Sequence, residues 1–189
     1  MARNEHEMDP AEVRELLAEL RRRLEADGID ARIHVIGGSA MALNFPDDAE
    51  TRMTQDIDAV VDPSLAVRRV VEAMADELGL SPTWLNSNGA SFVPPRDKHE
   101  KVGRGVEVTT ATIDELIAMK LAAAREQDLY DLGILARHAG ISDPHELVEI
   151  AFAAYGDDSV VLSETRADYL ILARQALDRA RTRASKRSH

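Results

Sequence analysis

The chain has 189 residues, 44% hydrophobic but only 4% aromatic, with no cysteine and a formal net charge of −11. Aliphatic side chains and alanine must therefore fill any core, and a disulfide framework, a thiolate metal site and a cysteine nucleophile are excluded. The acidic balance argues against a protein that coats nucleic acid through bulk charge; there is no run of about 18 apolar residues to span a membrane, and the opening MARNEHEMDPAEVREL lacks the apolar centre of a signal peptide, so a cytoplasmic location is expected.

Asp9-Pro10 pairs a capping acid with a first-turn proline and opens a helix. Val13, Leu16, Leu17, Leu20 and Leu24 give it one apolar face, and Gly28 ends it. Residues 32–36 are short and β-branched-rich, which predicts a strand. Gly37-Gly38 breaks that strand, and residues 39–43 read as a short helix. The polar stretch 44–52 reads as a loop, and 53–61 as a second, alternating strand. Pro63-Ser64 opens a helix that runs to Leu78 and stops at Gly79.

Residues 81–104 hold the single tryptophan, Asn and Gly turn signals and Pro94-Pro95, and are the least regular part. Residues 105–110 read as a strand. Four helices follow: 114–124, 128–140, one opened by Asp143-Pro144 and closed by Gly156, and a long one from the Ser163–Arg166 region. This order predicts an α+β chain. An α/β core covers residues 1–112, with a small mixed sheet flanked by helices. A helical region over 113–189 packs on it as one compact unit. From Arg174 onward, six basic residues stand against one acid, Asp178. That stretch reads either as a solvated helix face or as a contact to RNA or an acidic partner.

The chemistry concentrates in HVIGGSAMALNFPDDAETRMTQDIDAVVDP, residues 34–63. On a strand, Asp56 and Asp58 share a face, about 6 to 7 Å apart. Two such carboxylates suit a hard divalent cation, with the remaining ligands coming from waters and phosphates. Gly37-Gly38-Ser39 ends a strand and opens a helix, where backbone N–H groups can cradle a phosphate and Ser39 can add a hydroxyl. An EF-hand reading fails, because Val61 stands where that loop needs glycine. Taken alone, a glycine pair reads as a turn and a D-x-D as a solvated edge. In this order, and with Arg52-x-Thr54-x-Asp56-x-Asp58, they read as a site for a nucleoside triphosphate and its metal.

These residues resemble the nucleotidyltransferase superfamily with the DNA polymerase β-like fold. "IGGSAMAL…RMTQDIDAVV" is most similar to the AbiEii/AbiGii toxin group and to the DUF6036-like proteins. Lys120, Ala123 and Asp128-Leu129-Tyr130-Asp131 match the later part of that pattern, and Arg125 falls early in it. The resemblance covers about residues 30–140. It implies a minimal nucleotidyltransferase fold and transfer of a nucleoside monophosphate with Mg²⁺ or Mn²⁺. It also implies a toxin-like role with a cognate antitoxin, and a tRNA 3′ end as acceptor; a protein hydroxyl is the other acceptor. On this pattern Asp56, Asp58 and Glu107 are the metal acids. Lys120 steadies the leaving pyrophosphate and Asp131 is a candidate base. Gly37, Gly38, Ser39, Arg52, Thr54 and Arg125 bind the nucleotide.

The same residues also have plain structural readings. Lys120 in an apolar helix face can snorkel. Asp128 and Asp131 can form a helix cap, with Asp128 at the N-cap position. In one unbroken helix Lys120 and Asp131 would lie about 16 Å apart along the axis, and a break near residues 126–128 would let both turn inward. His34 and His138 are expected to be buried, and His99 to be exposed. Two alternatives to an enzyme remain: a nucleotidyltransferase-like domain that only binds nucleotide or a partner protein, and a helical adaptor in which the D-x-D is incidental.

Overall fold

The computed structural model describes residues 7–51, 53–95 and 103–187, with side chains as far as residue 182. The fold is α+β, with a small mixed four-stranded sheet flanked by helices and followed by C-terminal helices. Contacts divide the described residues into two compact units. The first runs to Ala90 and takes in 103–111; the second holds 91–95 and everything from Thr112. Residues 91–95 thus group with the helical unit rather than with a 1–112 core.

In the first unit, α1 (Pro10–Ala26) starts where Asp9 Oδ1 accepts from the N–H groups of Ala11 and Glu12, at 2.8 and 2.9 Å. Its apolar stripe, Val13 to Leu24, is buried. β1 (Ala31–Val35) lies at the middle of the sheet, which runs β3-β2-β1-β4. It pairs antiparallel with β2 (Ile57–Asp62), placing Arg32 opposite Asp62 and Val35 opposite Ala59. It pairs parallel with β4 (Val106–Thr110), placing Arg32 opposite Glu107 and His34 opposite Thr109. The short β3 (Leu85–Asn86) runs parallel to β2, with Asn86 opposite Asp58.

Side-chain alternation gives the sheet two characters. Ile33, Val35, Ile57 and Ala59 face the core with no exposure. Arg32, His34, Asp58, Asn86, Glu107 and Thr109 share the other face by register. α2 (Gly37–Asn44) follows β1, and α3 (Ser64–Leu78) follows β2, ending on left-handed Gly79. Trp84 is buried and donates its indole N–H to the Val71 carbonyl, 3.1 Å away. That bond, with Ile57 N–H donating to the Trp84 carbonyl at 2.6 Å, orders part of a stretch that reads as irregular in sequence.

The second strand is shorter than expected. It begins at Ile57 rather than Met53, because Thr54 is bridged to Met8 instead. The bridge is closed by Met8 N–H to Thr54 O and Thr54 N–H to Met8 O, at 2.6 and 3.2 Å. Asp56 therefore precedes the strand, while Asp58 lies in it.

The second unit packs four helices: α4 (Ile113–Ala123), α5 (Glu126–Ala139), α6 (Pro144–Tyr155) and α7 (Arg166–Arg187). A reciprocal cap opens α4, with Glu115 N–H donating to Thr112 Oγ1 and Thr112 N–H to Glu115 Oε2. α5 starts two residues earlier than the pattern suggests, so Asp128 occupies the third helical position and Arg125 the N-cap. His34 is buried, with Nδ1 2.8 Å from Thr109 Oγ1. His138 is exposed instead of buried, because it lies in the last turn of α5, away from the core. His99 lies outside the described residues.

Two tyrosines show how tightly the second unit is filled. The Tyr155 hydroxyl donates to the Phe92 carbonyl, which ties residues 91–95 to the helices. Tyr169 packs edge-to-face on Phe152, centroids 6.0 Å apart, and its buried hydroxyl has no hydrogen-bond partner. A buried, unsatisfied hydroxyl costs roughly 1–3 kcal/mol. Tyr169→Phe is therefore expected to raise stability by about 1 kcal/mol, read as a higher midpoint in urea unfolding; a lower midpoint would show that the hydroxyl is satisfied after all.

Candidate functional site

The site in the first unit is built where β1 ends and α2 begins. Ile36, the residue before α2, has an apolar side chain and makes no side-chain cap. The first N–H groups of α2 consequently lack the usual capping partner. Gly37 sits at φ +64°, a left-handed conformation that side chains rarely adopt. A Cβ there would lie 2.9 Å from Asp58 Oδ2, so the glycine backbone and the carboxylate are packed directly together. The helix N-terminus, with its partial positive charge, thus abuts an acid.

Ser39 and Thr54 serve differently from the expectation that they face a nucleotide. Ser39 is buried, and its hydroxyl donates to the Asp56 carbonyl at 2.9 Å. The Thr54 hydroxyl donates to the same carbonyl at 2.6 Å. One backbone oxygen thus accepts from both motif hydroxyls, and this clamps the segment carrying Asp56 onto α2. The strand register extends the clamp, since Ile36 N–H donates to the Asp58 carbonyl at 2.8 Å.

Asn86 is the residue that the sequence alone does not reveal. Its Nδ2 donates to Asp56 Oδ2 at 2.8 Å. Asn86 is the register partner of Asp58, and partners in a parallel pair point to the same side of the sheet. A side chain on the Asp58 face reaches the Asp56 carboxylate, which places both acids on that face. In sequence, LNSNG reads as a turn, and nothing in it marks the first asparagine as a strand residue facing two acids.

Glu107 lies on the same face but is not brought to the acid pair. It is level with Arg32 and Asp62, whereas Asp58 is level with Ile36. The offset is four residues, or about 13 Å along the strand. Glu107 instead forms an exposed ion pair with Arg32, 3.2 Å away. Among the described residues, no three His, Asp or Glu side chains gather to hold a metal. Arg52 lies outside the described residues. Two hard carboxylates beside an uncapped helix N-terminus fit Mg²⁺ or Mn²⁺, which draw their remaining ligands from phosphate and water.

Gly37→Ala tests the close approach. It forces a side chain into a left-handed position, at about 1–2 kcal/mol, and pushes Asp58 away from α2. The expected outcome is a modestly lower thermal midpoint together with loss of Mn²⁺ binding in calorimetry. Unchanged Mn²⁺ affinity would show that this contact does not position the acid.

A second cluster lies within the helical unit. Ala124 ends α4 at φ +49°, and Arg125 is extended, so the chain breaks before α5. The break brings together residues that one helix would keep apart. Lys120 Nζ donates to Asp131 Oδ2 at 2.7 Å and to Asp128 Oδ1 at 3.0 Å. Arg125 Nε donates to Asp128 Oδ2 at 2.6 Å, and Gln127 to Asp131 Oδ1 at 2.8 Å. Lys120, Asp128 and Asp131 are all buried. Lys120 therefore does not snorkel; its charge is committed to two acids. Burial pushes the Asp128 carboxyl up, but the Arg125 hydrogen bond and the Lys120 charge outweigh it and hold it below the usual value of 3.8.

Among the described residues, no helix is long and apolar enough to cross a membrane. No curated protein and no solved structure matches the chain. Residues 11–177 match a family model whose description is "Nucleotidyltransferase of unknown function (DUF6036)".

Proposed function

The chain belongs to the DUF6036 family of nucleotidyltransferases of unknown function, and we propose that it moves a nucleoside monophosphate from a nucleoside triphosphate to an acceptor hydroxyl. What supports this most is the abutment of Gly37 on Asp58, so close that a Cβ on the glycine would lie 2.9 Å from the carboxylate. It puts a phosphate-binding helix start and a metal-binding acid at one place.

The backbone N–H groups at the start of α2 hold triphosphate oxygens. Asp56 and Asp58 hold Mg²⁺ or Mn²⁺, which supplies charge neutralisation at the transferring phosphoryl group. Ser39, Thr54 and Asn86 keep the Asp56 segment fixed, so that a cation held by the two acids would meet the α-phosphate in one position. The acceptor oxygen bonds to the α-phosphorus, and the bond from that phosphorus to the bridging oxygen breaks. Pyrophosphate leaves with the electron pair, and the acceptor's proton passes to a base or to water.

The finer form of the proposal is a toxin-like enzyme with a tRNA 3′ end as acceptor. The six basic residues from Arg174 onward suit an RNA partner; a protein hydroxyl is the alternative acceptor. Nucleotide binding without transfer is a second reading, favoured by the absence, among the described residues, of a third carboxylate grouped with Asp56 and Asp58 to hold a metal. Incubation with each labelled triphosphate, Mg²⁺ and either total tRNA or total protein tests both. Label in one pool identifies the acceptor. Tight triphosphate binding without label in either pool would replace the transfer proposal with the second reading.

A further inference from the structure

We infer that Asn86 is a positioning residue for the metal pair, an inference that rests on reading Asp56 and Asp58 as metal ligands. A carboxylate that takes part in cation binding is a better ligand when a second group fixes its rotamer. The Asp56 side chain precedes β2 and so lacks the strand pairing that orients Asp58. Asn86 supplies what is missing, with Nδ2 at 2.8 Å from Asp56 Oδ2.

The orientation of the Asn86 amide follows from its neighbours. Asn88 N–H, which can only donate, meets Asn86 Oδ1 at 2.9 Å. That fixes the oxygen end of the amide toward the turn. The nitrogen end must then face Asp56 and the Thr83 carbonyl, 3.4 Å away, both of which only accept. The alternative amide orientation would set oxygen against the carboxylate and nitrogen against an N–H, two repulsive contacts in place of two bonds.

The donor is also part of the strand that frames the acids. Asn86 is the register partner of Asp58 and reaches past it to Asp56. One side chain thus links the acid outside the sheet to the strand pair that carries the other. It leaves Asp56 Oδ1 as the oxygen without this bond, and so selects which oxygen of Asp56 is turned toward a cation. The same residue lines a cavity of about 490 Å³ whose other walls include Val67, Val71 and Leu85.

Mn²⁺ binding by titration calorimetry or electron paramagnetic resonance reads the effect without any turnover. Asn86→Leu keeps the volume and removes the donor; Asn86→Ala removes both. Each is expected to weaken Mn²⁺ binding about 10–100-fold with the far-ultraviolet circular dichroism unchanged. A folded Asn86 variant with wild-type Mn²⁺ affinity overturns the inference. Asp58→Ala, measured alongside, separates the two levels: if it too binds Mn²⁺ as wild type does, the metal-pair reading itself is wrong. Should both Asn86 variants fail to fold, the wild-type protein still decides. The Asn86 side-chain amide resonances are expected to shift on Mg²⁺ addition, and to stay fixed in Asp58→Ala. Resonances that stay fixed while the Asp58 backbone amide shifts would count against a role for Asn86.

Discussion

In Asp58→Ala, transfer of an α-phosphate label from a nucleoside triphosphate is expected to fall about 1,000-fold, with the thermal midpoint close to that of wild type. The size of the first effect follows from what the carboxylate touches. Asp58 lies in β2, its backbone carbonyl held by Ile36 and its side chain against Gly37. It is the acid that the fold places at the α2 N-terminus. The small second effect follows from its surroundings: Asp58 is only half-buried, so its removal opens no core cavity. Transfer rates at saturating triphosphate, beside melting curves of both proteins, check the pair of expectations. A variant that transfers label as fast as wild type removes Asp58 from the chemistry.

Lys120→Met is expected to lower unfolding free energy at pH 7 by about 3–5 kcal/mol. The methionine fits the volume, but it strands two buried carboxylates. Asp128 keeps its bond from Arg125, and Asp131 keeps its bond from the Gln127 amide, which carries no charge. An uncompensated buried charge is far more costly than a missing pair. The pH dependence has a definite sign. The Asp128 carboxyl is held below 3.8 in the folded protein, so its stabilising contribution is complete above that value and is lost as pH falls through the lower, folded one. In Lys120→Met, protonation instead relieves the stranded charges. The gap between variant and wild type should therefore narrow from pH 7 to pH 4 in urea unfolding. A gap that is small at pH 7, or that widens on acidification, would show the lysine to be a minor part of this cluster.

Legibility in the sequence differs sharply between elements. α1 and α3 are readable because their ends carry local chemistry: the Asp9 cap and Pro10 for one, Gly79 for the other. The break between α4 and α5 is legible only as a condition, since nothing in LAAAREQ forces Ala124 into a left-handed conformation. The bonds from Lys120 to Asp128 and Asp131 cross the break, and the Arg125–Asp128 bond caps the helix that follows it. The start of β2 is misplaced in sequence because residues 53–56 alternate like a strand, while the backbone of Thr54 is engaged by Met8, a residue far away in the chain.

The acid pair shows the same division. The motif singles out Ser39, Thr54, Asp56 and Asp58, but not who bonds whom. Ser39 and Thr54 share the Asp56 carbonyl, a role that depends on how α2 lies against residues 54–56. Glu107 has the right face and the wrong level, because strand alternation is local whereas register is set by pairing with β1. Asn86 is invisible for the complementary reason: a two-residue strand has no periodicity to read, and its significance comes wholly from lying beside Asp58.

Two parallel reactions, one with triphosphate labelled at the α-phosphorus and one with label at the γ-phosphorus, test nucleotidyl transfer most directly. Each contains the protein, Mg²⁺ and the RNA or protein pool. Nucleotidyl transfer predicts that α-label becomes acid-insoluble, that γ-label leaves the triphosphate only as pyrophosphate, and that one pyrophosphate forms per label transferred. Acid-insoluble γ-label would mean phosphoryl transfer and would contradict it, as would α-label that remains entirely soluble while the triphosphate is consumed.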